Sequence, residues 1–282
     1  MTVIIDGRAC AEKILENIKT KTSKLNKKPG LSVILVGENP ASKVYVKNKE
    51  KKAIEAGFNS NVYRLPENTS KLELLNLIDK LNNEDNTDGI LLQLPLPKHL
   101  NPSDFLDKID PKKDVDGFHP INSGKLLNNE KPYVIPCTPK GIIRLLDEYN
   151  IEIAEKNAVV IGRSNIVGKP VSMLLLNKNA TVTIAHSKTK NLIDVVKQAD
   201  IIVSATGISN IITKDMVKEG AAVIDVGIIR GEDGKLKGDV DFNNIKDIAG
   251  FITPVPGGVG PMTIAMLMEN TLELHLLRNN LC

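Results

Sequence analysis

The run AVVIGRSNIVG at residues 158–168, followed by TVTIAHS at 181–187, constrains this chain more than any other stretch. Residues 158–161 are wholly apolar, as in a strand buried on both faces of a parallel sheet. Gly162 and Gly168 bracket a turn where the missing Cβ lets backbone approach a ligand closely. A helix starting there presents free N–H groups and its positive dipole end to a pyrophosphate. Where NAD binds such a unit, the second strand usually ends in Asp or Glu, which grips the ribose 2′-hydroxyl. Here the second strand, 181–185, ends in Ala185, His186 and Ser187, with Lys188 and Lys190 beyond and Arg163 in the loop. No carboxylate stands there to repel a 2′-phosphate, so the pattern favours NADP. Ser164 occupies the position of a further glycine, which leaves a plain glycine turn in another α/β protein as the alternative.

At 282 residues the chain has room for two modest α/β domains or one large one. Charged residues are 25% and hydrophobic residues 41%, ordinary for a globular protein. A net charge of +3, lysines scattered among acidic neighbours and the absence of Trp argue against nucleic-acid binding. Cys10, Cys137 and Cys282 are far apart and lack C-x-x-C spacing, and His99, His119, His186 and His275 are unclustered. This predicts reduced thiols and no zinc or other metal site. The N-terminus carries Asp6 and Gly7 where a signal peptide would continue its apolar run, and no segment has membrane-spanning length. A cytoplasmic protein that engages no membrane is expected.

Apolar runs at 31–36, 89–94, 158–161, 181–185, 201–205, 222–226 and 251–253 read as strands. They alternate with helix-period segments at 42–56, 70–82, 139–149, 169–177 and 192–198. That alternation is the mark of βαβ units and parallel sheets. The Pro- and Asn-rich stretch 120–139 is the expected domain seam, and PVPGGVGP at 254–261 a second, with Pro261 suited to a helix's first turn. The apolar stripe of 263–278 predicts a final helix that returns to the first domain.

Three segments offer chemistry. Residues 39–49 open a helix capped by Ser42 or Asn39, with Tyr45 and Lys49 four apart on one face continued by Ala53 and Ala56. Lys47, Lys51 and Lys52 crowd Lys49 with like charge, and a lysine neutral part of the time can act as a general base. A solvated lysine-rich helix is the alternative. Gln93 closes the apolar run from Gly89, where side chains at the carboxyl ends of parallel strands line ligand crevices. It can equally be a strand-edge amide bonded to a loop. Asp114 and Asp116 point to opposite sides of an extended chain, so one can bind a flat amidine-like edge while the other holds the loop.

The ordered set of motifs resembles the bifunctional methylenetetrahydrofolate dehydrogenase/methenyltetrahydrofolate cyclohydrolase family. It comprises YVKNK (45–49), QLPLP (93–97), KDVDG (113–117), PCTP (136–139), GRSNIVGKP (162–170), TIAHS (183–187), DVGI (225–228) and PVPGGVGPMT (254–263). The resemblance implies an α/β protein with a folate-binding catalytic domain at 1–138, joined by the returning helix 263–282. A Rossmann-type NADP-binding domain at 139–262 completes it, with the active site in the cleft between the two. It implies Lys49, Gln93 and Tyr45 as catalytic residues, and Asp116, Gly257 and Gly258 as substrate contacts. Gly162, Arg163, Ser164, Ser187 and Ile228 are implied as NADP contacts. The implied reactions oxidise 5,10-methylenetetrahydrofolate to the methenyl form and hydrolyse that to 10-formyltetrahydrofolate, in one-carbon metabolism that feeds purine biosynthesis. A homodimer is implied too. Two other classes stay open from the residues alone: a different NADP-dependent dehydrogenase, and a non-catalytic NADP-sensing protein. Neither needs the set Tyr45, Lys49, Gln93 and Asp116.

Overall fold

The computed structural model describes residues 2–231 and 234–280. Cys282, read above as a reduced thiol, lies outside them. The chain divides into two compact units, one of residues 13–137 with 264–282, the other of 1–12 with 138–263.

In the first unit, three parallel strands stand in the order Asn59–Leu65, Gly30–Val36, Gly89–Leu92. The central strand is apolar apart from Ser32 and buried at every residue. Helix Lys71–Asn83 packs its stripe of Leu74, Ile78 and Leu81 into a core with Ile34, Val36, Ile90, Leu92 and Phe105. Its start is fixed by reciprocal bonds in which Glu73 N donates to Ser70 Oγ and Ser70 N to Glu73 Oε2. Truncating Ile78 or Leu81 to alanine costs about 2–5 kcal/mol.

The second unit holds a six-stranded parallel sheet in the order Val3–Ile4, Phe251–Ile252, Ala222–Asp225, Ile201–Ser204, Asn157–Ile161, Thr181–Ala185. The strand Asn157–Ile161 sends the chain to one side, to Thr181–Ala185. The chain then returns to its other side as Ile201–Ser204. That reversal is the switch point at which open α/β sheets bind ligands, and it defines a Rossmann-type unit. A two-stranded antiparallel hairpin, Ile229–Arg230 with Leu236–Lys237, follows the strand Ala222–Asp225.

Three expectations are corrected. Residues 1–12, expected with the folate-side domain, belong to the Rossmann-type unit, because Val3–Ile4 pairs in parallel with Phe251–Ile252. The seam 120–139 does hold a unit boundary, at 137/138, but it is structured, since Pro120 opens a helix to Leu127 whose first turn is capped by the His119 ring. The helix placed at 263–278 begins at Val259, inside the second seam, so the unit boundary at 263/264 falls within a helix.

Candidate functional site

Helix Pro40–Glu55 begins directly after the central strand, and Asn39, not Ser42, caps it by accepting from Ser42 N at 3.1 Å. Its buried residues are Ser42, Val46 and Ala53. Lys49 lies on that same stripe, half-buried, and Tyr45 sits one turn earlier, 40% exposed. The Lys49 ammonium donates to Gln93 Oε1 at 3.0 Å. Gln93 follows the strand Gly89–Leu92, and its Nε2 donates to Leu94 O at 2.6 Å, which turns the amide oxygen toward the lysine. The like-charge crowding read from Lys51 and Lys52 is relieved, since both pair with Glu55.

Asp114 and Asp116 do separate jobs. Asp114, buried, accepts from Gly117 N, His119 N and Asn122 Nδ2 and holds the turn. Burial pushes its carboxyl above the usual range, against those donors. Lys113 anchors the start of the turn by donating to Leu81 O and Glu84 O, at the end of helix Lys71–Asn83, and burial lowers its ammonium to about 8. Asp116 faces elsewhere. Burial raises its carboxyl too, while the Lys49 charge and the Cys137 thiol, 3.7 Å from Oδ1, pull it back down. Lys49 and Gln93 are therefore in contact, and Asp116 lies near enough for its carboxyl to feel the lysine's charge. A lysine held by an amide, beside a carboxylate that feels its charge, is a group equipped to pass a proton.

A second site lies at the switch point of the six-stranded sheet. A cavity of about 390 Å³ is lined by Gly162, Arg163, His186, Ser187, Thr189, Ala205 and Thr206, among others. Gly162 has φ +120°, and a Cβ there would stand 2.5 Å from Ala205 O, so only glycine fits between the two strand ends. Ser164 Oγ accepts from Val167 N and Gly168 N and so holds the loop that leads into the helix Gly168–Asn177. No carboxylate lines this cavity among the described residues, whereas Arg163, His186, Ser187 and Thr189 offer donors. That donor set fits a dinucleotide bearing an extra anionic group on its ribose. Lys188 and Lys190 are exposed outside the lining, and Ser164 and Ile228 do not line it either. Ile228 is 46% exposed in the loop after Asp225. Gly257 and Gly258 form the turn before the last helix, with Gly257 at φ +113° and its carbonyl accepting from Arg8 N.

Two residues beside Asp116 escaped the residue-level reading. Cys137 was visible only as a thiol and inside PCTP, and Asn270 gave no signal, being one of several polar residues in the last helix. Both are buried.

A Rossmann-type dinucleotide unit, with a second α/β unit carrying a lysine–amide pair near a carboxylate, is the architecture of a nucleotide-dependent α/β enzyme. Residues 5–116 match the catalytic domain of tetrahydrofolate dehydrogenase/cyclohydrolase, and residues 136–279 match its NAD(P)-binding domain. The chain belongs to the tetrahydrofolate dehydrogenase/cyclohydrolase family. It is 57% identical to the bifunctional protein FolD of Streptococcus sanguinis over 97% of each chain. The crystal structure of the bifunctional FolD enzyme of Campylobacter jejuni superposes with a TM-score of 0.97 at 50% identity, covering 99% of this chain and 100% of that one. The Trypanosoma brucei enzyme, crystallised with NADP cofactor and an inhibitor, gives a TM-score of 0.94 at 39% identity over 100% of this chain and 99% of that one. The chain is accordingly a bifunctional enzyme of folate one-carbon metabolism, an oxidoreductase and a hydrolase.

Proposed function

We propose that this chain oxidises 5,10-methylenetetrahydrofolate with NADP in preference to NAD, then hydrolyses the methenyl product to 10-formyltetrahydrofolate, with Lys49, Gln93 and Asp116 at the folate. The 3.0 Å bond from Lys49 to Gln93, beside the Asp116 carboxylate, carries the reading. NADP, when bound, accepts the hydride that the methylene carbon loses. That step is driven by the folate nitrogen lone pair and needs no proton acceptor, so the protein's part is to orient two flat rings. The second step does need proton transfer. Water attacks the methenyl carbon, and Lys49 in its neutral amine form, still donating an N–H to Gln93, takes the water's proton, becomes the ammonium and later returns a proton to the nitrogen that leaves. Asp116 accepts hydrogen bonds from the pterin amino edge, and Tyr45, half-exposed one turn from Lys49, stacks on the ring. Gly162, Arg163, Ser164, Ser187 and Ile228 are assigned to NADP. Gly257 and Gly258 are assigned to the substrate on the family resemblance.

The reading extends to a homodimer working in the cytoplasm and supplying formyl groups to purine biosynthesis. Among the described residues no helix is long and apolar enough to cross a membrane. The deciding experiment offers purified protein methylenetetrahydrofolate with NADP or with NAD. It follows reduced cofactor and methenyl absorbance separately, with light scattering for mass. Reduction of NADP followed by methenyl decay is expected. Absence of either reaction, or equal rates with NAD, sinks the corresponding part.

A further inference from the structure

We propose that Asn270, on the final helix, is the positioning residue that aims the Asp116 carboxylate at the folate; the inference rests on the reading of Asp116 as the pterin-recognising group. Asn270 is fully buried in helix Val259–Arg278. Its Nδ2 donates to Val115 O and to Ile135 O, both at 2.9 Å, and stands 3.5 Å from Cys137 Sγ. The neighbouring Thr271, equally buried, satisfies its hydroxyl inside its own helix on Leu267 O. Asn270 instead reaches residues 155 and 135 positions away. A buried amide is costly unless bonded, and an apolar side chain here would take this donor from the Val115 and Ile135 carbonyls. The amide therefore serves the two segments it reaches rather than its own helix.

The targets of those bonds explain the arrangement. The carbonyl of Val115 shares a planar peptide unit with the nitrogen and Cα of Asp116, so fixing that oxygen fixes the point from which the Asp116 side chain leaves the backbone. The carbonyl of Ile135 belongs to the segment that closes against Gly117, where a Cβ would stand 2.7 Å from Pro136 N at φ +72°. The Cys137 thiol lies 3.3 Å from Val115 O and 3.7 Å from Asp116 Oδ1. One side-chain amide thus ties together the turn that carries the carboxylate, the segment packed on it and the thiol that touches it.

The test compares steady-state kinetics and melting of Asn270→Leu, Asn270→Ser, Thr271→Val and Asp116→Asn. Asn270→Leu should raise KM for both folate substrates about ten-fold, with kcat within about two-fold and KM for NADP unchanged. Asn270→Ser, whose hydroxyl reaches one carbonyl at most, should fall between. It also serves if the leucine variant does not fold. Thr271→Val should lower the melting temperature comparably and leave KM for the folates at the wild-type value. If Asp116→Asn raises folate KM while both Asn270 variants match Thr271→Val, the positioning role is wrong and the folate reading stands. Parallel losses in kcat and in NADP affinity in the Asn270 variants would likewise overturn it. If Asp116→Asn itself leaves folate KM unchanged, both fail.

Discussion

Lys49 and Gln93 meet at 3.0 Å across 44 residues of chain because each follows the carboxyl end of a neighbouring parallel strand. Gly30–Val36 leads into the helix that carries the lysine, and Gly89–Leu92 leads directly to the glutamine. Gln93 N still bonds Ile34 O, so the sheet's own ladder holds the amide beside the ammonium. The pair is a product of sheet register rather than of loop geometry.

Lys49→Met keeps the stem and removes the amine. Cyclohydrolase activity should fall about 10²–10⁴-fold, the usual loss for a general acid/base. Dehydrogenase activity should fall less, and methenyltetrahydrofolate should accumulate. Absorbance assays that follow methenyl formation and decay separately decide it. Normal methenyl hydrolysis by the mutant returns Lys49 to a solvated helix face.

Arg163 lines a cavity in which, among the described residues, no carboxylate stands. Each charge-assisted bond from it to a 2′-phosphate is worth on the order of 1.5–3 kcal/mol where water is excluded. Arg163→Ala should raise KM for NADP far more than KM for NAD. Equal rises for the two cofactors would show that this guanidinium does not read the 2′-phosphate.

Asp225 is buried at the end of its strand, and burial raises its carboxyl to about 6 despite donors from Gly227, Asp239 and Val240. Because the folded-state value lies above the unfolded value of 3.8, the folded protein binds this proton more tightly. Its stabilising contribution is complete below about pH 4 and is lost as pH rises through about 6, a change on the order of 3 kcal/mol. The stability of the wild type relative to Asp225→Asn should therefore decline between pH 4 and pH 7, as read by urea unfolding at several pH values. A difference that does not vary with pH would refute the shift.

Asp88 is buried, with His275 Nδ1 at 2.8 Å on one oxygen and Arg278 Nη1 at 2.8 Å on the other. Gly30 N also donates to it. Asp88→Asn should destabilise the protein by about 3–5 kcal/mol, because the guanidinium loses its counter-charge in a low-dielectric setting. Chemical denaturation measures this, and a loss under about 1 kcal/mol would mean that the network is solvated.

The parts legible in the sequence were those written in local pattern. The apolar runs at 31–36, 181–185 and 201–205 lie within a residue of the strands Gly30–Val36, Thr181–Ala185 and Ile201–Ser204. The two-residue spacing of Asp114 and Asp116 separated a loop-holding carboxylate from one that faces Lys49. What the sequence did not disclose depends on distant partners. Asn59–Leu65 is an edge strand of mixed polarity, without an apolar run to mark it. Val3–Ile4 is two residues long and is a strand only because Phe251–Ile252 lies beside it. Asn270 resembles any polar residue on a helix until its two carbonyl partners are known.

The boundaries at 12/13, 137/138 and 263/264 mean that neither unit is a continuous piece of chain. During synthesis, the strand Val3–Ile4 emerges first and waits for its partner at Phe251–Ile252, while the turn bearing Asp116 waits for Asn270. A nascent chain halted after about 250 residues holds Lys49, Gln93 and Asp116 and still lacks the amide that ties down the turn. The last helix is thus the step at which the turn bearing Asp116 gains its final support.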